Sequence, residues 1–289
     1  MNAMDTFFSY LADEKKVSEN TLLSYRRDLQ KLEYFCRSLS ITEPTQISAS
    51  NLKAYLVYLE EGNFKAATIS RNVATIHSFF HYLYKEHMVE EDVSECLQAP
   101  KIEKKPPEVL TVEQVTRLLD QPSGDDPKEL RDKAMLELLY ATGIRVSELI
   151  GLKVDALDRG HDLLTCGERT IPYGLHARAA LIRYLEEGRG QLLKGKESDV
   201  LFPSCLGEPM SRQGFWKILK NYGRQAGIET DITPHTLRHS FAAHMMAGGA
   251  DIRVVSQMLG HSDISTTQIY AKLGQNNLRT AYEAAHPRT

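Results

Sequence analysis

The sequence has little cysteine and no closely spaced cysteine pair. Its four cysteines, Cys36, Cys96, Cys166 and Cys205, are scattered along 289 residues and form no CxxC motif. This spacing argues against a zinc ribbon, which needs paired cysteines, and against a disulfide scaffold. We therefore expect reduced, mostly buried thiols.

Long apolar runs and an excess of positive charge are also lacking. No stretch approaches the roughly 20 apolar residues that span a bilayer, and the N-terminal MNAMDTFFSYLADEKK lacks the basic-then-apolar order of a signal peptide. These absences predict a cytoplasmic protein with no membrane partner. The formal net charge of −3 gives no global sign of a polyanionic partner, so any nucleic-acid surface has to be local.

The pattern that is present is mainly helical and falls into two domains. Apolar residues three and four positions apart predict amphipathic helices after Ser18, Ser48 and Thr68, and a short helix precedes them. Residues 1–100 are therefore predicted to form a small helical bundle. The lysine- and proline-rich stretch 101–110 predicts an extended linker to a second domain at 111–289.

The second domain is predicted to be mixed but mainly helical. DLLTCGERTIPYG alternates apolar and polar residues around a central glycine and predicts a short β-hairpin. Helical periodicity resumes at 177–185 and 213–227. Farther along the chain, Pro234 suits a helix start, Asp251 can cap the next helix and Gly260 can end it.

The N-terminal domain offers a few candidate DNA contacts. Arg26 and Arg27 lie off the apolar stripe of their helix, and Ser70, Arg71 and Asn72 lie at the start of another. Such side chains, assisted by a helix N-terminus, can contact phosphates. The alternative is an ordinary solvated helix face, which the sequence alone favours.

A first candidate for chemistry is the arginine in YATGIRVSEL. Gly143 ends an apolar helix, and Arg145 begins a short element in which Glu148 falls on the same face, three residues on. Because Arg145 is embedded among apolar residues, its side chain is not expected to be freely solvated. A buried ion pair with Glu148 is the structural explanation.

A second candidate cluster is PHTLRHSFAAH, which places His235, Arg238 and His239 on one helix face. Two histidines four residues apart are a metal-ligand spacing, but the glutamate of the metalloprotease motif and a nearby cysteine or acidic ligand are missing. The other interpretation is an anion site. Arginine presents a planar fork to phosphate, and a neighbouring imidazole can donate a hydrogen bond or transfer a proton.

His261 and Tyr270 complete the candidate residues. His261 follows a helix-ending glycine and can project into a cleft, whereas Tyr270 taken alone would be a core residue. Together with the arginines they fit the attack of a tyrosine on a phosphodiester. Guanidinium and imidazole groups would stabilise the charge on the nonbridging oxygens and favour phenolate, since a free phenol has a pKa of about 10.

Several longer segments carry a family resemblance. In the second domain they are LYATGIRVSELIGL, TPHTLRHSFAAHMMAGGADIRVVSQMLGHSDISTTQIY and YEAAHPR; in the first they are SENTLLSYRRDLQKLEYF and AATISRNVATIHSFFHYLYK. These segments resemble the tyrosine recombinases of the phage integrase family, in particular the Xer-type enzymes. The resemblance covers nearly the whole chain. It implies a mainly α fold in which a helical, SAM-like core-binding bundle precedes a catalytic domain with a small β-hairpin.

The resemblance implies a role for each main candidate. Arg145 and Arg238 would clamp the scissile phosphate, and His235 and His261 would complete the pocket. Tyr270 would form a 3′-phosphotyrosyl bond and release a 5′-hydroxyl. The resemblance implies no cofactor and no metal, because the phosphotyrosine bond stores the cleaved linkage.

Supporting residues and partners are implied in the same way. Glu148 and His239 match supporting positions, where the glutamate would orient Arg145. Double-stranded DNA would be held in a clamp, and four protomers, identical or paralogous, would assemble on two sites. The segment after Gly274 would pack into a neighbouring protomer or, alternatively, onto its own domain. Chromosome dimer resolution at the nucleoid and mobile-element transfer are the expected roles, with a DNA translocase as a candidate regulator.

One departure from the family pattern concerns the hairpin. Members of the family carry a lysine in a GKGxKER-like turn as general acid toward the leaving 5′-oxygen, whereas TCGERTIP is shorter and has no lysine. Arg169 is the nearest basic residue, but a pKa above about 12 makes it a reluctant proton donor. Another group or water would then supply the proton, a lysine would reach in from elsewhere, or the chain is a catalytically weak DNA-binding member that acts with a partner recombinase. The spacing of His235 and His239 leaves a separate alternative, a metal-dependent hydrolase.

Overall fold

The chain forms two compact units. The computed structural model describes residues 3–102, 108–260, 282 and 285–288. The units are Met1–Lys105 and Pro106–Thr289, and each has a hydrophobic core of its own. The division between them falls inside the stretch 101–110.

The N-terminal unit is a bundle of helices, as its apolar periodicity predicts. The helices are α1 Ala3–Asp13, α2 Glu19–Ser38, α3 Ala49–Glu61 and α4 Ala66–Lys85, with 3₁₀ turns at Pro44–Gln46 and Val93–Cys96. Ser18 and Ser48 cap α2 and α3 by accepting hydrogen bonds from the backbone N–H groups of Thr21 and Asn51. These two predicted helix starts are confirmed.

The start of α4 differs from the sequence prediction. The sequence predicts a helix opened by Thr68, but α4 begins at Ala66, and Lys65 is its N-cap residue without a side-chain hydrogen bond. Thr68 instead lies in the first turn, where its backbone N–H donates to the Lys65 carbonyl at 2.7 Å. The helix begins earlier because Ala66 and Ala67 have high helix propensity, which offsets the missing side-chain cap.

The C-terminal unit is mixed and mainly helical. Its helices are α5 Val112–Leu119, α6 Pro127–Thr142, α7 Val146–Ile150, α8 Gly174–Arg183, α9 Arg189–Leu193, α10 Arg212–Gln225, α11 Pro234–Ala247 and α12 Ile252–Leu259, with a π-helical turn at Tyr184–Gly188 and a 3₁₀ turn at Val154–Ala156. The predicted helix ends are confirmed. Gly143 and Gly260 terminate α6 and α12 in the left-handed conformation, Pro234 is the first residue of α11, and Asp251 caps α12.

A small antiparallel sheet lies between α7 and α8 in the chain. Strands β2 Leu163–Cys166 and β3 Arg169–Pro172 form the predicted hairpin, in which Cys166 pairs with Arg169 across the turn. Strand β1 Leu157–Asp158 pairs with β2 and completes the sheet. Sequence analysis missed β1 because two residues are too few to show alternation.

Helix α6 forms the centre of the C-terminal unit. Its side chains are buried on nearly all sides, and it contacts α8 and α11. A helix buried in this way is held firmly by its neighbours, so the turn at its C-terminal end has a fixed position. Neither α6 nor any other helix in the described part of the chain is long and apolar enough to span a membrane.

Candidate active site

The first predicted site segment lies at the turn from α6 to α7. Gly143 has a φ of 60°, and a side chain there would collide with Phe241 and Leu259. Both constraints require glycine. The turn places Arg145 at the N-cap of α7, where its guanidinium donates to the Gly260 carbonyl at 3.2 Å.

The predicted ion pair between Arg145 and Glu148 is present. The Glu148 carboxylate accepts hydrogen bonds from the Arg145 backbone N–H at 2.6 Å and from its guanidinium at 3.2 Å. The prediction that the pair is buried is wrong, because 44% of the Arg145 side chain and 22% of the Glu148 side chain are exposed. The apolar neighbours Ile144 and Leu149 point into the core, and the helix start directs Arg145 outward. The guanidinium is therefore oriented and accessible to a ligand.

Arg238 reaches the same place from α11. The residue is only 7% exposed. Its guanidinium donates to the Gly143 carbonyl at 2.5 Å and to the Leu259 carbonyl at 2.7 Å. Arg238 is therefore anchored by the same turn and the same helix end that adjoin Arg145.

A third arginine, Arg169 at the start of β3, joins this site. Its guanidinium pairs with the Glu148 carboxylate and donates to the Met258 carbonyl at 2.6 Å. Three successive carbonyl oxygens at the end of α12 thus accept hydrogen bonds from three different arginines: Met258 from Arg169, Leu259 from Arg238 and Gly260 from Arg145. Cations are favourable there because carbonyl dipoles point out of a helix C-terminus. We call Arg145, Arg169 and Arg238 the arginine cluster.

The two histidines of α11, His235 and His239, are close in sequence to Arg238 of this cluster. The His235 and His239 ring centroids are 6.4 Å apart, with His235 exposed and His239 half-buried. Burial, and after it the neighbouring His235 and Arg238, lowers the pKa of His239, so its imidazole is neutral near pH 7. Among the described residues, no group of three or more histidine, cysteine, aspartate or glutamate side chains is placed to hold a metal ion.

The other two predicted pocket residues, His261 and Tyr270, lie outside the described residues. The described stretch ends at Gly260, directly before His261. Gly260 has a φ of 64° and its carbonyl contacts Arg145. The arginine cluster therefore contacts the backbone up to the residue that precedes His261.

Four of the five predicted DNA contacts in the N-terminal unit are at least partly exposed, and one of them is Arg71, with 40% of its side chain exposed. Arg26 and Arg27 are exposed on α2, and Ser70 on α4 is partly exposed. The Arg26 guanidinium lies over the Phe8 ring at 4.3 Å from its centroid. This contact orients the Arg26 guanidinium, and the residue as a whole is exposed.

The structure corrects the placement of Asn72 as a DNA contact. Asn72 is fully buried; its amide donates to the Thr68 carbonyl at 2.8 Å, and its Oδ1 accepts a hydrogen bond from the Tyr55 hydroxyl at 3.0 Å. The helical spacing turns this position toward the core and leaves no access for a phosphate. Arg71 forms an ion pair with Asp28, which is 1% exposed.

The described residues of the C-terminal segment pack within the C-terminal unit of the same chain. Tyr282 stacks on His286 with 4.8 Å between ring centroids, and Arg288 pairs with buried Glu137 at 2.7 Å. His286 Nε2 lies 3.3 Å from the Tyr140 carbonyl. In this single chain these described residues thus pack on their own domain, which the sequence offers as the alternative to packing into a neighbouring protomer.

Sequence reasoning missed a basic helix face on α10. Arg212, Lys217 and Arg224 are exposed there, and Lys220 lies over the ring of Trp216 at 4.1 Å from its centroid. The signal was present in RQGFWKILKNYGR, where basic residues occupy positions between the apolar ones that face the core. Basic residues clustered along one helix are typical of nucleic-acid-binding surfaces.

Family models match most of the chain. The phage integrase family matches residues 108–277, and the N-terminal SAM-like domain of phage integrases matches residues 4–87. The tyrosine recombinase XerD of Halalkalibacterium halodurans is 43% identical over 293 residues, which cover 99% of this chain and 98% of the relative. The XerD of Shewanella oneidensis is 40% identical over 290 residues and covers 99% of this chain and 96% of its own.

Solved structures share the fold at low identity. The Tn1549 transposon integrase in complex with a circular intermediate DNA has a TM-score of 0.73 and 18% identity, and the match covers 98% of this chain and 99% of that chain. XerH bound to its difH substrate has a TM-score of 0.68 and 22% identity, covering 96% and 83%.

These matches decide between the predictions. The predicted fold class, a helical SAM-like bundle followed by a mainly helical catalytic domain with a small sheet, is confirmed. A metal-dependent hydrolase and a catalytically weak binding protein are not favoured. The family models and the relatives that match along nearly the whole chain show that this protein belongs to the phage integrase family and is a Xer-type tyrosine recombinase, an enzyme that breaks and rejoins DNA at specific sites.

Proposed function

We propose that this recombinase cleaves DNA through Tyr270. The phenol loses its proton, its oxygen forms a bond to the scissile phosphorus, and the bond from phosphorus to the 5′-oxygen breaks as that oxygen takes up a proton. The 5′-hydroxyl of another strand then attacks the phosphotyrosine and reverses these changes. Because one phosphoester replaces another at each step, strand exchange requires no nucleotide.

The observation that carries this proposal is the arginine cluster at the end of α12. Arg145 and Arg238 come from two different helices, and both contact the backbone within two residues of His261. A phosphate placed there would replace neutral carbonyls as the acceptor, and hydrogen bonds from guanidinium to phosphate are the stronger kind. Two such donors would stabilise the charge that gathers on the nonbridging oxygens.

The histidines are assigned to the same phosphate. His235 is exposed on the face of α11 that also carries Arg238, and His261 follows the helix end that the arginines hold. We assign both as hydrogen-bond donors to phosphate oxygens. Neutral His239 supports His235 from one turn away.

The proton for the leaving 5′-oxygen does not come from the hairpin in this proposal. Arg169 uses its guanidinium on Glu148 and on the Met258 carbonyl, and a guanidinium gives up a proton with difficulty. We infer that water or a pocket histidine supplies this proton.

We further propose that both units bind DNA. Residues 1–100 act as the core-binding domain, 101–110 as the linker, and 111–289 as the catalytic domain. Exposed Arg26 and Arg27, partly exposed Ser70 and the basic face of α10 lie on helix surfaces that can contact phosphates. Solved relatives of the same fold in complex with DNA support duplex DNA as the partner.

Assembly and biological role are also proposals. Four protomers, identical or paralogous, would act on two sites, with the C-terminal segment moving from its own unit to a neighbour. The many XerD relatives and the XerH–difH structure support chromosome dimer resolution at the nucleoid, with a DNA translocase as regulator.

A nicked suicide substrate tests the cleavage proposal. The cognate site is first located by footprinting on host DNA, and a nick near the scissile phosphate lets the 5′-ended fragment diffuse away after cleavage. Wild type is expected to form a denaturant-resistant protein–DNA adduct, and Tyr270→Phe is expected to bind the site without forming one. An adduct of equal yield in Tyr270→Phe would contradict the proposal.

A further inference from the structure

Arg169 connects three separate elements of the catalytic unit. From β3 it pairs with Glu148 of α7 and donates to the Met258 carbonyl of α12 at 2.6 Å. Its guanidinium also lies 3.5 Å from the Cys166 sulfur across the hairpin. Only 17% of its side chain is exposed. Arg169 therefore links β3, α7 and α12 within the site.

The backbone of α12 is shaped to receive this guanidinium. A Cβ atom at Gly260 would lie 2.8 Å from Arg169 Nε and 2.9 Å from Cζ, which is closer than side-chain atoms approach each other. Gly260 also has a φ of 64°, which favours glycine. Glycine thus serves both the helix end and the close approach of Arg169, so the guanidinium rests against the backbone directly before residue 261.

Glu148 provides a second connection. Its Oε1 accepts from the guanidiniums of both Arg145 and Arg169, and its Oε2 accepts the Arg145 backbone N–H at 2.6 Å. A carboxylate held between two guanidiniums has little rotational freedom. Without Arg169, the Oε1 atom of Glu148 would lose one of its two donors, and Glu148 would restrain the Arg145 guanidinium less tightly.

We propose that Arg169 is a positioning residue of the recombinase. It fixes Glu148, and through it Arg145, and it holds the last turn of α12 in the geometry that cleavage requires. The proposal rests on the role assigned to Arg145 above. The short hairpin contributes a fixed cation to the site, and that cation neither contacts the phosphate nor donates the proton.

The test measures single-turnover cleavage at saturating DNA with the full chain. In the substrate, sulfur replaces the leaving 5′-oxygen; a thiolate leaves without protonation, so the rate does not depend on a general acid. The variants are Arg169→Gln, Glu148→Gln and the double variant. Arg183→Gln is the matched control, because Arg183 of α8 also forms an ion pair with a residue distant in the chain, Asp125 in the loop before α6, on an exposed surface. DNA affinity and melting temperature are measured for every variant.

We expect Arg169→Gln to slow cleavage by about 10- to 100-fold, because small displacements of a catalytic group have effects of this size. The DNA dissociation constant should change by less than about 3-fold, since Arg169 does not contact DNA in this account. The double variant should be no more than about 3-fold slower than the slower single variant, because both substitutions break the same connection. Arg183→Gln should cleave at the wild-type rate.

Three results would overturn the inference. The first is an unchanged cleavage rate in Arg169→Gln, and the second is a double variant whose loss of rate equals the product of the two single losses. The third is a cleavage rate that falls with the oxygen substrate but not with the sulfur substrate, which would make Arg169 the proton donor. If Arg169→Gln does not fold, Arg169→Lys keeps the charge near Glu148 but lacks the planar fork that reaches Met258; full cleavage by that variant would also overturn it. A wild-type protein that forms no adduct would instead overturn the proposed function. That result differs from one in which the wild type cleaves and Arg169→Gln cleaves equally fast, which would overturn only the role of Arg169.

Discussion

Arg71 in the N-terminal unit and Arg145 in the C-terminal unit form similar ion pairs in different surroundings. The two side chains have nearly the same exposure, 40% and 44%, and each pairs with a carboxylate. Asp28, the partner of Arg71, is 1% exposed and joins α2 to α4, whereas Glu148 is 22% exposed and is shared with Arg169.

In the first pair the carboxylate depends on the arginine for its stability, whereas in the second the arginine depends on the carboxylate for its orientation. A buried carboxylate such as Asp28 needs its cation, because an unpaired buried charge is strongly destabilising. Glu148 is partly solvated, and its contacts serve to orient Arg145 beside the end of α12. The exposure of an arginine therefore does not reveal its role, while the burial of its partner and the neighbouring donors do.

The largest effect that separates the two arginines is expected from Arg145→Ala. Loss of a donor to the transition-state phosphate should slow strand cleavage by about 10²- to 10³-fold or more. The melting temperature should stay within about 3 °C of wild type, because exposed ion pairs contribute little to stability. Single-turnover cleavage and thermal unfolding check both statements, and rapid cleavage by Arg145→Ala would remove it from the pocket.

Arg71→Ala should show the reverse pattern. It leaves the buried Asp28 carboxylate with Lys31 at 3.4 Å and the Thr75 hydroxyl at 3.3 Å as its remaining side-chain partners. We expect a loss of about 2–4 kcal/mol in the free energy of unfolding of the N-terminal unit. Denaturant titration measures this loss. A stable Arg71→Ala variant with weakened DNA binding would make Arg71 a phosphate contact after all.

Acid should destabilise the C-terminal unit through His286. Burial lowers the pKa of His286 from 6.5 to about 4; its Nε2 faces the Tyr140 carbonyl, and its Nδ1 accepts the Arg288 backbone N–H at 3.2 Å. The unfolded state takes up the proton first, so the stability contribution is complete above pH 6.5 and is lost as pH falls toward 4. The loss should be on the order of 3 kcal/mol. His286→Phe should flatten the dependence of melting temperature on pH over this range, and an unchanged slope would contradict this cause.

The smallest expected effect compares Arg27 with Arg71 in DNA binding. If exposed Arg27 contacts a phosphate, Arg27→Ala should reduce the slope of log affinity against log salt concentration by about 1. Arg71→Ala should leave that slope unchanged, because its guanidinium is already paired with Asp28. Binding titrations at several salt concentrations measure both slopes. Equal slopes in the two variants would show that Arg27 and Arg71 do not differ in their contact with phosphate.

Much of the fold was predictable from sequence, because its local signals are strong. Ser18, Ser48 and Asp251 cap helices where they were expected to, and Gly143 and Gly260 end them. Strand β1 was missed because it is two residues long, and the start of α4 was misplaced because its alanines begin the helix without a side-chain cap.

The site was predictable by residue type and less so by surroundings. The pairing of Arg145 with Glu148 follows from a three-residue spacing, but its exposure depends on which neighbours face the core. The contacts of Arg169 with α12 arise between residues far apart in the chain, where periodicity carries no information. The burial of Asn72, by contrast, follows from the helical spacing of its neighbours Ile69 and Ile76.

The most direct test of the account identifies the residue that carries DNA after cleavage. The adduct from the nicked substrate is trimmed with nuclease, digested with trypsin and analysed by mass spectrometry. The account predicts a nucleotide attached through its 3′-phosphate to Tyr270. A nucleotide on any other residue, or cleaved DNA with no attached protein, would contradict it.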